Sequence, residues 1–123
     1  MKSLLPAALL LSALAAPTLA ETTSAEPAPV AAQDQILSVT YVCPDSETLD
    51  AVFLNTAAGN SYAVLRLGEE LLPMQVAISA SGARYTAILP DDDRVFWTKG
   101  DTANLFAGPN GDETLLADCM AQN

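Results

Sequence analysis

The sequence predicts an all-β fold: eight short antiparallel strands stapled by one disulfide. Three observations carry that expectation. Apolar residues recur at every second place along short runs, turn-forming residues punctuate those runs, and the chain holds 2 cysteines and no histidine. Period-two alternation marks a strand with one face in a core and the other in water. Eight such runs with tight turns suit an up-and-down barrel or a sandwich. A closed barrel also leaves no unpaired edge.

The first twenty residues read as an address rather than as part of the sheet. Lys2 is the only charge before residues 4–16, which hold no charged side chain, and small residues stand at Thr18 and Ala20. A charged start, a short apolar core and a small-residue end describe a secretory signal peptide cleaved after Ala20. The apolar run is too short for a spanning helix, which needs about 20 residues. No cysteine follows it, so no lipid-attachment site is expected there and the mature chain is expected to be soluble.

Cleavage removes Lys2 and leaves Arg66, Arg84, Arg94 and Lys99 against all 15 acidic residues, so the net charge moves from −10 to −11. A chain this acidic repels nucleic acid and anionic membrane surfaces and attracts a basic protein. The plainer reading of the charge is that it keeps an exported protein soluble.

Residues 21–34, ETTSAEPAPVAAQD, hold one large apolar residue, Val30. Such a stretch cannot bury enough surface to offset its ordering entropy, so a flexible leader is expected. The folded domain then spans 35–123, a single small core of the kind that benefits from a covalent staple. Cys43 and Cys119 supply one in an oxidising compartment, where one pair has one connectivity. A loop of about 76 residues gives roughly 4 kcal/mol of closure entropy. Two thiols without a histidine make a poor zinc set, so no metal is expected.

Strand runs are expected at 35–43, 48–54, 61–67, 70–79, 83–89, 94–99, 102–107 and 113–119. Between them stand Pro44-Asp45, Ala58-Gly59-Asn60, Gly68, Ser81-Gly82, Pro90-Asp91, Gly100-Asp101 and the run 108–111. The alternation is cleanest in Leu37, Val39, Tyr41 and Cys43. The final run, ETLLADC, fits a helical turn as well as a strand.

Catalytic chemistry is scarce. Without histidine the chain lacks the usual base near neutral pH, and it has no Gly-rich phosphate loop, so no cofactor is expected. Asp91-Asp92-Asp93 lacks the spaced ligand pattern of a calcium loop and reads as a solvated hairpin tip. Ser81 and Lys99 could be imagined as nucleophile and base, but nothing in the sequence marks Lys99 as desolvated. The chain is expected to bind rather than to catalyse.

Two segments stand out: Ser81-Gly82-x-x-Tyr85, and Trp97-x-Lys99-Gly100-x-x-Ala103-x-Leu105. With the Tyr41–Cys43 strand, Phe53 and Asn55 before them and Cys119 after, they resemble the C-type lysozyme inhibitors of Gram-negative envelopes, the MliC/PliC type, over about 35–120. The resemblance implies an eight-stranded antiparallel barrel that binds C-type lysozyme and blocks its active-site cleft. It further implies that Ser81 and Lys99 enter the cleft and contact the catalytic carboxylates, with Gly82, Tyr85, Trp97, Gly100 and Ala103 as motif support. It points to the free periplasmic kind rather than the lipid-anchored kind.

A hydroxyl and an ammonium suit such a carboxyl pair, because the first donates or accepts and the second offers three donors and a charge. The chain departs from the family in the long connection between Tyr85 and Trp97, whose extra acids could add contacts to a basic target. Two rival readings are a barrel that holds an apolar ligand and an envelope assembly factor. Oligomeric state is not legible.

Overall fold

The computed structural model describes residues 15–16 and 32–122. The expected signal peptide, 1–20, and the leader, 21–34, therefore fall almost wholly outside the described residues. Where the leader's end is described, Asp34 Oδ1 accepts a hydrogen bond from the Ala57 backbone N–H at 2.7 Å.

Eight strands follow in order. They are β1 (Gln35–Val42), β2 (Thr48–Asn55), β3 (Ser61–Leu67), β4 (Glu70–Ala77), β5 (Ala83–Ala87), β6 (Val95–Lys99), β7 (Thr102–Ala107) and β8 (Glu113–Gln122). Each pairs with its sequence neighbour, and β8 pairs with β1, so the sheet closes into an up-and-down barrel. Closure decides between the barrel and the sandwich. It is made by Thr40, Tyr41 and Val42 against Gln122, Ala121 and Met120.

The alternation read in the sequence becomes an inside and an outside. Inward positions pair large with small: Phe53 stands opposite Ala63, and Leu65 opposite Ala51. That complementarity is what a narrow barrel needs to fill its bore. Phe96, Leu49, Leu65, Leu72, Met74, Leu105 and Cys119 are fully buried. Phe96 also meets Tyr41 edge-on at 6.0 Å and Phe53 at 6.2 Å between ring centroids. The centre of the bore is thus occupied by the protein's own side chains, which counts against the apolar-ligand reading.

Cys43 and Cys119 are bonded across a separation of 76 residues. The staple ties the end of β1 to β8, next to the seam where the barrel closes.

Most strand bounds fall within a residue of the sequence reading, and the larger differences are in β4, β5 and β8. β4 stops at Ala77, so Ile78 leaves the strand and stands 97% exposed. β5 stops at Ala87 and β6 starts at Val95, which lengthens the tip between them to 88–94. The ambiguous last segment is a strand, and it runs on to Gln122. Its pairing with β7 slips in register around Leu105, and Asp118 takes a positive φ of 55°. A bulge inserts an extra residue and breaks period two, which is why Leu115-Leu116-Ala117 did not alternate.

Candidate functional site

In an up-and-down barrel, successive turns alternate between the two ends. The turns at 56–60, 78–82 and 100–101 share one end. Those at 43–47, 68–69, 88–94 and 108–112 share the other. The two motifs therefore meet at one rim, because the β4–β5 loop carries Ser81-Gly82 and the β6–β7 turn carries Lys99-Gly100. Pairing of Ala83 with Thr98 and of Arg84 with Trp97 brings the loop against the start of the turn.

Gly82 makes that approach possible. It has a φ of 65°, and a Cβ there would collide with the Thr98 carbonyl oxygen and stand 2.8 Å from Lys99 Cγ. Only glycine takes this backbone region freely, and only glycine fits the space. Gly100, at φ 56°, opens the two-residue turn that returns β6 into β7. Asp101 closes it by accepting, at its carbonyl oxygen, the Ala121 N–H at 2.8 Å.

The motif residues divide by position. Tyr85, Ala103 and Leu105 point into the core and are buried. Gly82 and Gly100 shape the turns. Ser81 and Lys99 are both exposed on this rim, with Gly82 packed close to the Lys99 stem. Trp97 is half-buried between them. Its Nε1–H donates to the Ser81 carbonyl oxygen at 2.9 Å, and Lys99 Nζ lies 4.5 Å from its ring centroid. As strand geometry requires, Trp97 and Lys99 lie on one face, two residues apart.

Among the described residues the ion pairs join Arg66 to Asp50, and Arg94 to Glu70 and to Asp92; Lys99 has no acid within ion-pair distance. In a chain with 15 acidic residues, an exposed ammonium left without one is available to an outside partner.

The acidic tip does not join this rim. Asp91-Asp92-Asp93 lies in 88–94, at the other end of β5 and β6, so it is not placed to add contacts around Ser81 and Lys99. Asp92 is also engaged: Arg94 Nη2 donates to its Oδ2 at 2.7 Å. Arg94 holds the Asp92 carboxyl below the usual carboxylate range, chiefly by its side-chain hydrogen bond, and does the same to Glu70.

Two features of the rim escaped the sequence reading. One is Ile78, whose place inside an expected strand hid its exposure. The other is an open depression of about 580 Å³ whose lining includes Leu37, Tyr41, Phe53, Tyr85, Thr98 and Asp101. Burial pushes both tyrosines above the ordinary 10.0, and Tyr85 and Asp101 raise Tyr41 further. Among the described residues no group of three His, Cys, Asp or Glu side chains could hold a metal ion.

The family described as membrane-bound lysozyme-inhibitor of c-type lysozyme matches residues 41–114. Two curated proteins similar to the chain are each described as a membrane-bound lysozyme inhibitor of C-type lysozyme. The one from Escherichia coli (strain K12) is 44% identical over 54 residues, covering 44% of this chain and 43% of its own. The one from Pseudomonas aeruginosa is 35% identical over 77 residues, covering 62% and 57%. The matches thus span about half the length of these curated relatives.

Among solved structures, the periplasmic lysozyme inhibitor of C-type lysozyme from Salmonella typhimurium, PliC-St, superposes with a TM-score of 0.65 at 36% identity, over 72% of this chain and 100% of that one. Pseudomonas aeruginosa MliC, solved in complex with hen egg white lysozyme, gives 0.59 at 30% identity, over 77% and 90%. With the barrel, the staple and both motifs in place, the chain belongs to the family of membrane-bound lysozyme inhibitors of C-type lysozyme.

Proposed function

We propose that this protein inhibits a C-type lysozyme in the bacterial envelope by seating the Ser81 loop and Lys99 in the enzyme's cleft, so protecting the cell wall. The observation that carries the reading is the exposed pair on one rim: a hydroxyl with no hydrogen-bond partner of its own among the described residues, beside an ammonium with no acid. C-type lysozymes cleave glycan with two carboxyl groups, one held as an acid and one ionised. Lys99 complements the ionised carboxylate, and Ser81 can donate to it or accept from the acid. The relative solved with hen egg white lysozyme supports the partner.

The remaining surface serves the encounter. The net charge of −11 that remains once Lys2 is removed with the signal, 4 basic against 15 acidic residues, steers a basic enzyme toward it. Ile78, on the same loop as Ser81, offers an apolar contact next to the polar pair, in keeping with interfaces that surround a polar anchor with water-excluding neighbours. In this reading the protein is a binder and not a catalyst. Residues 1–20 serve as its signal for export to the periplasm, residues 21–34 precede the barrel as a leader, and 35–123 is the working domain.

The test is a lysis assay in which residues 21–123 are titrated into hen egg white lysozyme acting on a peptidoglycan suspension. Lysis should fall in proportion to added protein and stop near equimolar ratio. Unchanged lysis at large excess overturns the reading.

A further inference from the structure

We propose that Trp97 is a positioning residue that holds Ser81 and Lys99 together as one pre-assembled unit; this rests on the inhibitor reading above. The side chain engages both loops at once. Its indole N–H donates to the Ser81 carbonyl oxygen, 2.9 Å away, and its ring lies under the Lys99 ammonium, 4.5 Å from Nζ to centroid. The same carbonyl accepts a second bond, 2.6 Å long, from Ser79 Oγ.

These side-chain bonds matter because the loop has little else. Residues 78–82 lie between β4 and β5, and among the described residues no backbone hydrogen bond of the turn kind ties them down. The loop is fixed by Trp97, by Ser79 and by the close seat of Gly82 on Thr98. Lysine has the opposite problem, a long stem with much rotamer freedom to lose on binding. A ring beneath its ammonium removes part of that freedom before the partner arrives, which is how pre-organisation raises affinity. Tryptophan meets both needs. Phenylalanine supplies the ring without the donor, and leucine supplies neither.

The experiment measures inhibition of hen egg white lysozyme by the parent, Trp97→Phe, Trp97→Leu, the Ser81→Ala/Lys99→Ala double variant, and each Trp97 change in that double background, with thermal melts throughout. Trp97→Phe should weaken inhibition roughly threefold to tenfold, the worth of one hydrogen bond. Trp97→Leu should weaken it roughly tenfold to 100-fold. In the double background either change should cost less than about twofold, because a residue that acts through two others has nothing left to act on. An undiminished cost there overturns the proposal, as does unchanged inhibition by a folded Trp97→Leu.

If Trp97→Leu does not fold, Trp97→Phe carries the test against Ser81→Ala alone, where its cost should vanish. A readout on the free protein needs no lysozyme: Trp97→Phe should speed amide exchange at 79–82 and leave the paired amides of β5 and β6 protected. An unmoved loop rejects the positioning role whatever lysozyme does. A parent that fails to inhibit rejects the inhibitor reading instead, and additive costs in an inhibiting parent reject only the role of Trp97.

Discussion

Arg94, the residue just before β6, and Lys99, the last residue of β6, are used in opposite ways. Arg94 is only 20% exposed at its side chain and is clamped by Glu70 and by Asp92. Its carboxylate partners come from β4 and from its own tip, so it fastens the long β5–β6 hairpin to the barrel wall. Lys99 is exposed, has no acid beside it among the described residues, and rests on an aromatic face. A cation with its partners already present has nothing to offer a second protein. One presented on a rim without a partner does. The difference separates a structural charge from a binding charge more sharply than exposure alone, since arginines and lysines are both commonly exposed.

The comparison breaks first at Lys99. Truncating one member of a charged pair buried on binding costs about 2–5 kcal/mol, or roughly 30- to 4,000-fold in affinity. Lys99→Ala should therefore lose inhibition of hen egg white lysozyme while its melting curve stays with the parent. A parallel Arg94→Ala should do the reverse, with inhibition intact. Equal inhibition by parent and Lys99→Ala, both folded, would remove Lys99 from the site.

Gly82→Ala comes next. It forces a Cβ onto the Thr98 carbonyl oxygen at a positive φ, and backbone strain of that kind costs about 1–3 kcal/mol. The loop should yield before the barrel does. Inhibition should fall at least about tenfold, with the change in amide shifts confined to 79–84 and 97–100. Parent-like inhibition would mean the loop's seat is irrelevant to binding.

Ser81→Ala is expected to cost about 1.5–3 kcal/mol, as for a neutral group lost from a charged partner. Isothermal titration against hen egg white lysozyme reads it directly, and a change below the error of that titration would assign contact to Lys99 alone.

The smallest effect concerns the other end. Glu70 and Asp92 are held below their usual range by Arg94, so the unfolded chain binds more protons than the folded one. Their contribution is therefore present above the ordinary carboxylate range and is lost as pH falls through the lowered values. Urea midpoints should decline on acidification, and Arg94→Ala should flatten that decline while lowering neutral-pH stability by about 1 kcal/mol or less. An unaltered acid profile in the variant would show that the clamp does not carry it.

Much of this was legible in the residues. The first seven strands and the staple followed from alternation, turn chemistry and two cysteines, while the choice of a closed barrel over a sandwich came from the family resemblance. Ser81 and Lys99 were legible only through the two motifs, since Ser-Gly and Lys-Gly alone also describe ordinary turns. Three things were not. The strand β8 hid behind its bulge, where period two fails. Ile78 hid in a run that continued the pattern of β4 past its end. The place of the acidic tip depends on which turns share an end, a property of closure that no single stretch of sequence carries.

Which end of the barrel meets the enzyme is measured directly by an amide-shift map of the ¹⁵N-labelled protein titrated with unlabelled hen egg white lysozyme. Shifts and broadening should concentrate in 78–82 and 97–101, with 43–47, 88–94 and 108–112 undisturbed. Perturbation centred on 88–94 instead, with the Ser81 and Lys99 loops silent, would contradict the proposed site.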